Sequence, residues 1–91
     1  MSTDILTPPA DLMGDFETLY STLVGDTSGD KTRRFVDYFE RAEMLSLEMK
    51  LRTPNHEEKE FAGMVGEAFA ASRRIVLAAW QSAHGRGLAG A

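Results

Sequence analysis

Several residue types in this 91-residue chain could do chemistry. Its two histidines, His56 and His84, are possible metal ligands or general bases. A continuous helix between them would hold them about 40 Å apart, so they cannot share one site within a chain. They read as solvated helix-end residues, and His84 near a helix C-terminus also complements the helix dipole. Glu57, Glu58, Glu60 and Glu67 could act as acid/base or metal carboxylates. A di-metal bundle needs Glu-x-x-His pairs on facing helices, which the chain lacks. These carboxylates therefore read as dipole complementation and a solvated face. The chain has no cysteine, so thiolate zinc sites, thiol nucleophiles and disulfides are excluded. Gly85-Arg86-Gly87 follows a helix pattern instead of preceding one, which does not suit a phosphate-binding loop. No spacing suggests a Ser-His-Asp set, and no catalytic, cofactor or metal residue is assigned.

The basic doublets Arg33-Arg34 and Arg73-Arg74 could meet phosphates. They share their helices with Glu40, Glu43, Glu48 and Glu67, so no basic stripe forms. Ten Lys+Arg against fourteen Asp+Glu give a net charge of −4, the wrong balance for a general nucleic-acid or polybasic membrane binder. The apolar runs fall well short of a membrane span. The first residues, MSTDILTPP, lack the basic and apolar regions of a secretory signal. The expected class is one small, acidic, cytosol-compatible domain.

The elements that must position these residues are helical throughout. Residues 1–9 are expected to be flexible. A first helix is expected over about 10–24, starting near Pro8-Pro9, with Leu12, Met13, Phe16, Leu19, Tyr20, Leu23 and Val24 on one stripe. Gly14 inside it costs about 1 kcal/mol relative to Ala. Gly25-Asp26-Thr27-Ser28-Gly29 ends that helix, and Asp30 is the expected cap of a second, over 30–52. Here Phe35, Tyr38, Phe39, Ala42, Leu45 and Met49 make one stripe. Val36, Met44, Leu47 and Leu51 make another, about 150° away on the wheel. Two apolar stripes require two packing neighbours.

Thr53-Pro54-Asn55 breaks the second helix, because proline disfavours helix in the residue before it. Asn55 with Glu58 three residues on is a capping-box spacing, opening a third helix over 56–84. Phe61, Val65, Ala68, Phe69, Ile75, Val76, Ala79, Trp80 and Ala83 are its expected apolar stripe. Gly63, Gly66, Ala70 and Ala71 keep its other sectors thin. The 53–55 loop is too short for anything but a turn, so the second and third helices form a long antiparallel hairpin, with the shorter first helix folded along its groove. The expected architecture is all-α with three helices in one domain over 10–84, followed by a flexible Gly/Ala-rich tail over 85–91.

Long helices in so short a chain cannot bury every face, so part of the apolar surface should be completed by a partner. Trp80, with Phe69, Ile75 and Val76, is either hairpin core or a binding anchor, since tryptophan is enriched in binding hot spots. The Val36, Met44, Leu47 and Leu51 stripe either packs on the first helix or accepts a foreign one, and Met44 and Met49 suit an adaptable contact. Candidate partner-contacting residues are therefore Val36, Met44, Leu47, Leu51, Phe69, Val76 and Trp80.

Residues 61–86, FAGMVGEAFAASRRIVLAAWQSAHGR, resemble the last helix of small type III secretion co-chaperones of the YscE/SsaE kind. The Ala-rich stretch at 68–71, the Ile75-Val76 pair, Trp80 and His84 carry the resemblance. It implies a non-enzymatic, cofactor-free helical hairpin in the bacterial cytoplasm. Such a hairpin binds a tetratricopeptide-like chaperone, and together they keep a small helical needle subunit monomeric before export. A different reading is a secreted or self-assembling hairpin subunit, and a homodimer is compatible with either. Against that reading, Trp80 lies far from the hairpin turn. A small DNA-binding regulator is the third reading, disfavoured by the net charge.

Overall fold

The computed structural model describes residues 18–88. Among them are three helices, α1 (Leu19–Gly25), α2 (Asp30–Arg52) and α3 (His56–His84). The architecture is all-α. α2 and α3 form an antiparallel hairpin, and α1 packs at its open end, on α3 more than on α2. The molecule is a rod, 45 × 24 × 19 Å. The first turns expected for the N-terminal helix, with Leu12, Met13, Gly14 and Phe16, lie outside the described residues, as do 89–91.

The helix ends have local causes. Asn55 caps α3 by accepting a hydrogen bond from the Glu58 N–H at 3.0 Å. The reciprocal half of the capping box takes a different route. The Thr53 hydroxyl donates to the Glu58 carboxylate, and the Asn55 N–H donates to Thr53 Oγ1 at 3.3 Å. Thr53 is extended, at φ −78° and ψ 134°, as the residue before Pro54 must be. α3 ends at Gly85, whose φ of 68° suits glycine and whose N–H donates to Gln81 O at 2.8 Å.

The start of α2 differs from expectation. Gly29, at φ 82°, is the N-cap and has no side chain to offer, while Asp30 is the first helical residue. Asp26 does the capping from outside the helix. Its Oδ2 accepts from the Thr32 N–H and the Thr32 hydroxyl, both at 2.8 Å. A Cβ on Gly29 would displace only the far end of the Leu88 side chain, so it is the left-handed backbone, more than space, that calls for glycine here.

Packing along the hairpin changes from one end to the other. Near α1, Phe35, Tyr38 and Phe39 are buried and meet the half-buried Phe69, with Tyr38 and Phe69 edge-to-face at 6.1 Å. Towards the turn the contact is made by small residues, Ala42 and Ser46 against Ala62, Gly66 and Ala70. A Cβ on Gly66 would lie 3.5 Å from that of Ser46. The Ser46 hydroxyl, buried here, donates to Ala42 O at 2.8 Å and is thereby satisfied.

This rotates α3 relative to expectation. Its inward face is Ala62, Gly66, Ala70, Val76 and Trp80, whereas Phe61 and Ile75 point to solvent, 58% and 66% exposed. The large residues suggested a face offset by roughly one 100° residue step. Close backbone approach favoured the small residues instead, because they let two helices meet without a spacer of side chains.

Candidate functional site

The open end of the hairpin is sealed by side chains from the last turns of α3. The Trp80 indole N–H donates to Asp26 O at 2.8 Å, and the residue is wholly buried. His84 Nε2–H donates to Leu23 O at 2.9 Å, which requires the proton on Nε2. The His84 ring lies 4.4 Å from that of Trp80. Beyond the helix, the Arg86 guanidinium sits 4.8 Å over the indole and donates to Thr27 O at 2.7 Å. Three carbonyls at the C-terminal end of α1, those of Leu23, Asp26 and Thr27, thus receive donors from α3 and its tail. Leu23 O and Asp26 O also accept backbone N–H groups, from Asp26 at 3.4 Å and from Gly29 at 3.1 Å, so the donors from α3 add a second bond to each.

Asp26 joins both sides of this seal. Burial pushes its carboxyl pKa upward. Hydrogen bonds from the Thr32 N–H and hydroxyl, and from the Lys31 and Gly29 N–H groups, outweigh burial, and the pKa lies below the ordinary 3.8. Its carboxylate starts α2 while its carbonyl holds Trp80. His84, expected to be solvated, is instead half-buried in the seal. His56 is at the surface, paired with Glu60 at 3.0 Å.

The opposite end is open. Met44, Leu47 and Leu51 on α2 are 58%, 45% and 85% exposed. The second stripe of α2 is therefore divided. Val36 is buried in the core shared with Leu23, and the three residues nearer the turn are not covered. Of the seven candidate contact residues, Val36, Val76 and Trp80 lie inside the chain's own core, and Phe69 is half-buried against it. Met44, Leu47 and Leu51 are the three that present free surface.

One arginine of each basic doublet is paired with a carboxylate, Arg33 with Asp30 and Arg73 with Glu43 at 3.5 Å. Among the described residues no group of three or more His, Asp or Glu side chains is placed to hold a metal ion. No helix there is long and apolar enough to cross a membrane. The role of Asp26 was not foreseen. An Asp at a helix end before a Ser-Gly turn is a capping signal, but its link to Trp80, 54 residues away, leaves no local trace.

Fold and site together define a small all-α helical hairpin, sealed by its own side chains at one end and apolar on its surface at the other. The chain belongs to the type III secretion system regulatory protein HrpD6 family, whose profile matches residues 3–82. The secretion-system setting implied by residues 61–86 thus holds, at the level of a regulatory protein of that system. Comparisons with curated proteins and with solved structures gave no match.

Proposed function

We propose that this chain regulates type III secretion as a non-enzymatic binding module. In this reading it is a bacterial cytoplasmic co-chaperone that pairs with a tetratricopeptide-like chaperone to keep a small helical needle subunit soluble before export. The observation that carries the reading is the uncovered apolar surface of Met44, Leu47 and Leu51 on α2. Residues at that helical spacing form an anchor row for a groove or helix in another protein. Met44 gives the row adaptability. The family description supports a role in the system. The acidic balance of −4 favours a protein partner over DNA.

The test is affinity purification of the tagged chain from its own host, with mass spectrometry of what co-elutes. The expected result is a tetratricopeptide-type chaperone together with a small helical secreted subunit, both lost with Leu47→Asp while the purified variant keeps its helical circular dichroism. Retention of both proteins by Leu47→Asp removes this surface from the argument, and recovery of neither removes the co-chaperone reading.

A further inference from the structure

α3 carries a second apolar row, on the side facing away from α2. Phe61, Met64 and Ile75 are 58%, 71% and 66% exposed. Ala68, Ala71 and Ala78 lie between and beyond them and are exposed or half-exposed. These six residues alternate in steps of three and four, the a/d pattern of a coiled-coil seam, and no charge interrupts them. Glu67 and Arg74 share one flank of the seam. Neither has a charged residue three or four positions away in α3, and neither makes an ion pair among the described residues.

We infer that this face binds the same face of a second copy of the chain, with the two α3 helices antiparallel. The row is self-complementary in that arrangement. Phe61 meets Ala78 of the other copy, Met64 meets Ile75, and Ala68 meets Ala71, so the layers run large against small, large against large and, at the two-fold axis, small against small. The same register brings Glu67 of each copy beside Arg74 of the other, giving two equivalent ion pairs. A parallel arrangement instead stacks Phe61 on Phe61 and places Glu67 beside Ser72, where no charge answers it. This charge complementarity selects a second copy, antiparallel. A two-fold contact of this kind closes on itself and gives a dimer, where a head-to-tail contact would propagate into a filament. The inference goes beyond the proposed function and uses a different face, leaving Met44, Leu47 and Leu51 open.

The test is light scattering on the full chain after size exclusion, across a dilution series from near-millimolar to low-micromolar protein. The expected mass at high concentration is twice 10.0 kDa, falling to the monomer on dilution. Ile75→Lys should give monomer throughout with unchanged helical circular dichroism. Glu67→Arg and Arg74→Glu should each weaken the dimer several-fold, and the two together should restore it, a rescue that general destabilisation would not produce. A spin label on Glu60→Cys, clean because the chain has no cysteine, should lie about 30 Å from its copy, since Glu60 faces Gln81 in this register. Monomer at every concentration, a dimer indifferent to Ile75→Lys, failed rescue by the charge exchange, or adjacent labels would each overturn the pairing. Loss of the dimer with partner binding intact would separate this face from the proposed function.

Discussion

The two ends of the hairpin place their large side chains to opposite effect. At the sealed end an aromatic ring, a histidine and an arginine converge on three carbonyls, and Trp80 has no exposed surface. At the turn end three large apolar side chains, Met44, Leu47 and Leu51, stand on the surface of α2, whose contact with α3 is filled by the alanines, serine and glycine of the two helices. Size alone therefore does not decide burial in this chain. Large side chains are buried where a third helix offers a groove and polar partners. Where only two helices meet, small residues bring them together and leave the large ones outside.

Breaking the sealed end should have the largest effect. Trp80→Ala removes a fully buried ring and should cost about 3–5 kcal/mol in chemical denaturation. Trp80→Phe separates ring from hydrogen bond. It should cost about 1 kcal/mol for the lost donor to Asp26 O, beyond any change in packing. A loss under about 1 kcal/mol for Trp80→Ala would mean that the ring is not core.

The next effect concerns Asp26 and is read from pH. Its folded pKa is lowered, so the unfolded chain takes up a proton first as pH falls. The carboxylate's contribution to stability is complete above the ordinary value of 3.8 and is lost as pH falls from there through the lower folded value. Thermal melts should therefore drop over that window in the native chain, and the Asp26-dependent part of the drop should vanish in Asp26→Asn. At neutral pH, Asp26→Ala should cost about 1.5–3 kcal/mol, the worth of hydrogen bonds to a charged group. Equal pH profiles for the native chain and the Asp26→Asn variant would remove the Asp26 carboxylate from the seal.

The smallest effect should come from the turn end. Leu51→Gln replaces a side chain that is 85% exposed and should shift stability by no more than about 0.5 kcal/mol. A larger loss would show that the turn end is covered in the free protein, and the contrast between the two ends would fail.

Much of the fold was legible in the sequence, because the breaks at 25–29 and 53–55 combine glycine, proline and capping residues that act locally. The aromatic half of α2 was legible too, since Phe35, Tyr38 and Phe39 recur at helical spacing. The facing of α3 was not. Phe61 and Ile75 outweigh Gly66 and Ala70 on a hydrophobicity wheel, yet the small residues made the contact. The candidate surface was legible in part, for Met44, Leu47 and Leu51 were marked together with Val36, which the core absorbs. The links of Trp80 to Asp26, His84 to Leu23 and Arg86 to Thr27 were not legible because they span 54 to 61 residues, and spacing within a helix carries no record of that.

That separation also orders the assembly of the molecule. The α2–α3 turn closes a loop of a few residues, so the hairpin can zip from 53–55 outward through neighbouring contacts. The seal joins positions more than 50 apart and closes only after the zip has brought the end of α3 back to α1. Contacts with the longest loops form late and at greater entropic cost. α1 is therefore the unit set to detach by partial opening while the hairpin persists, and its amides should exchange with solvent before those at the centre of α2.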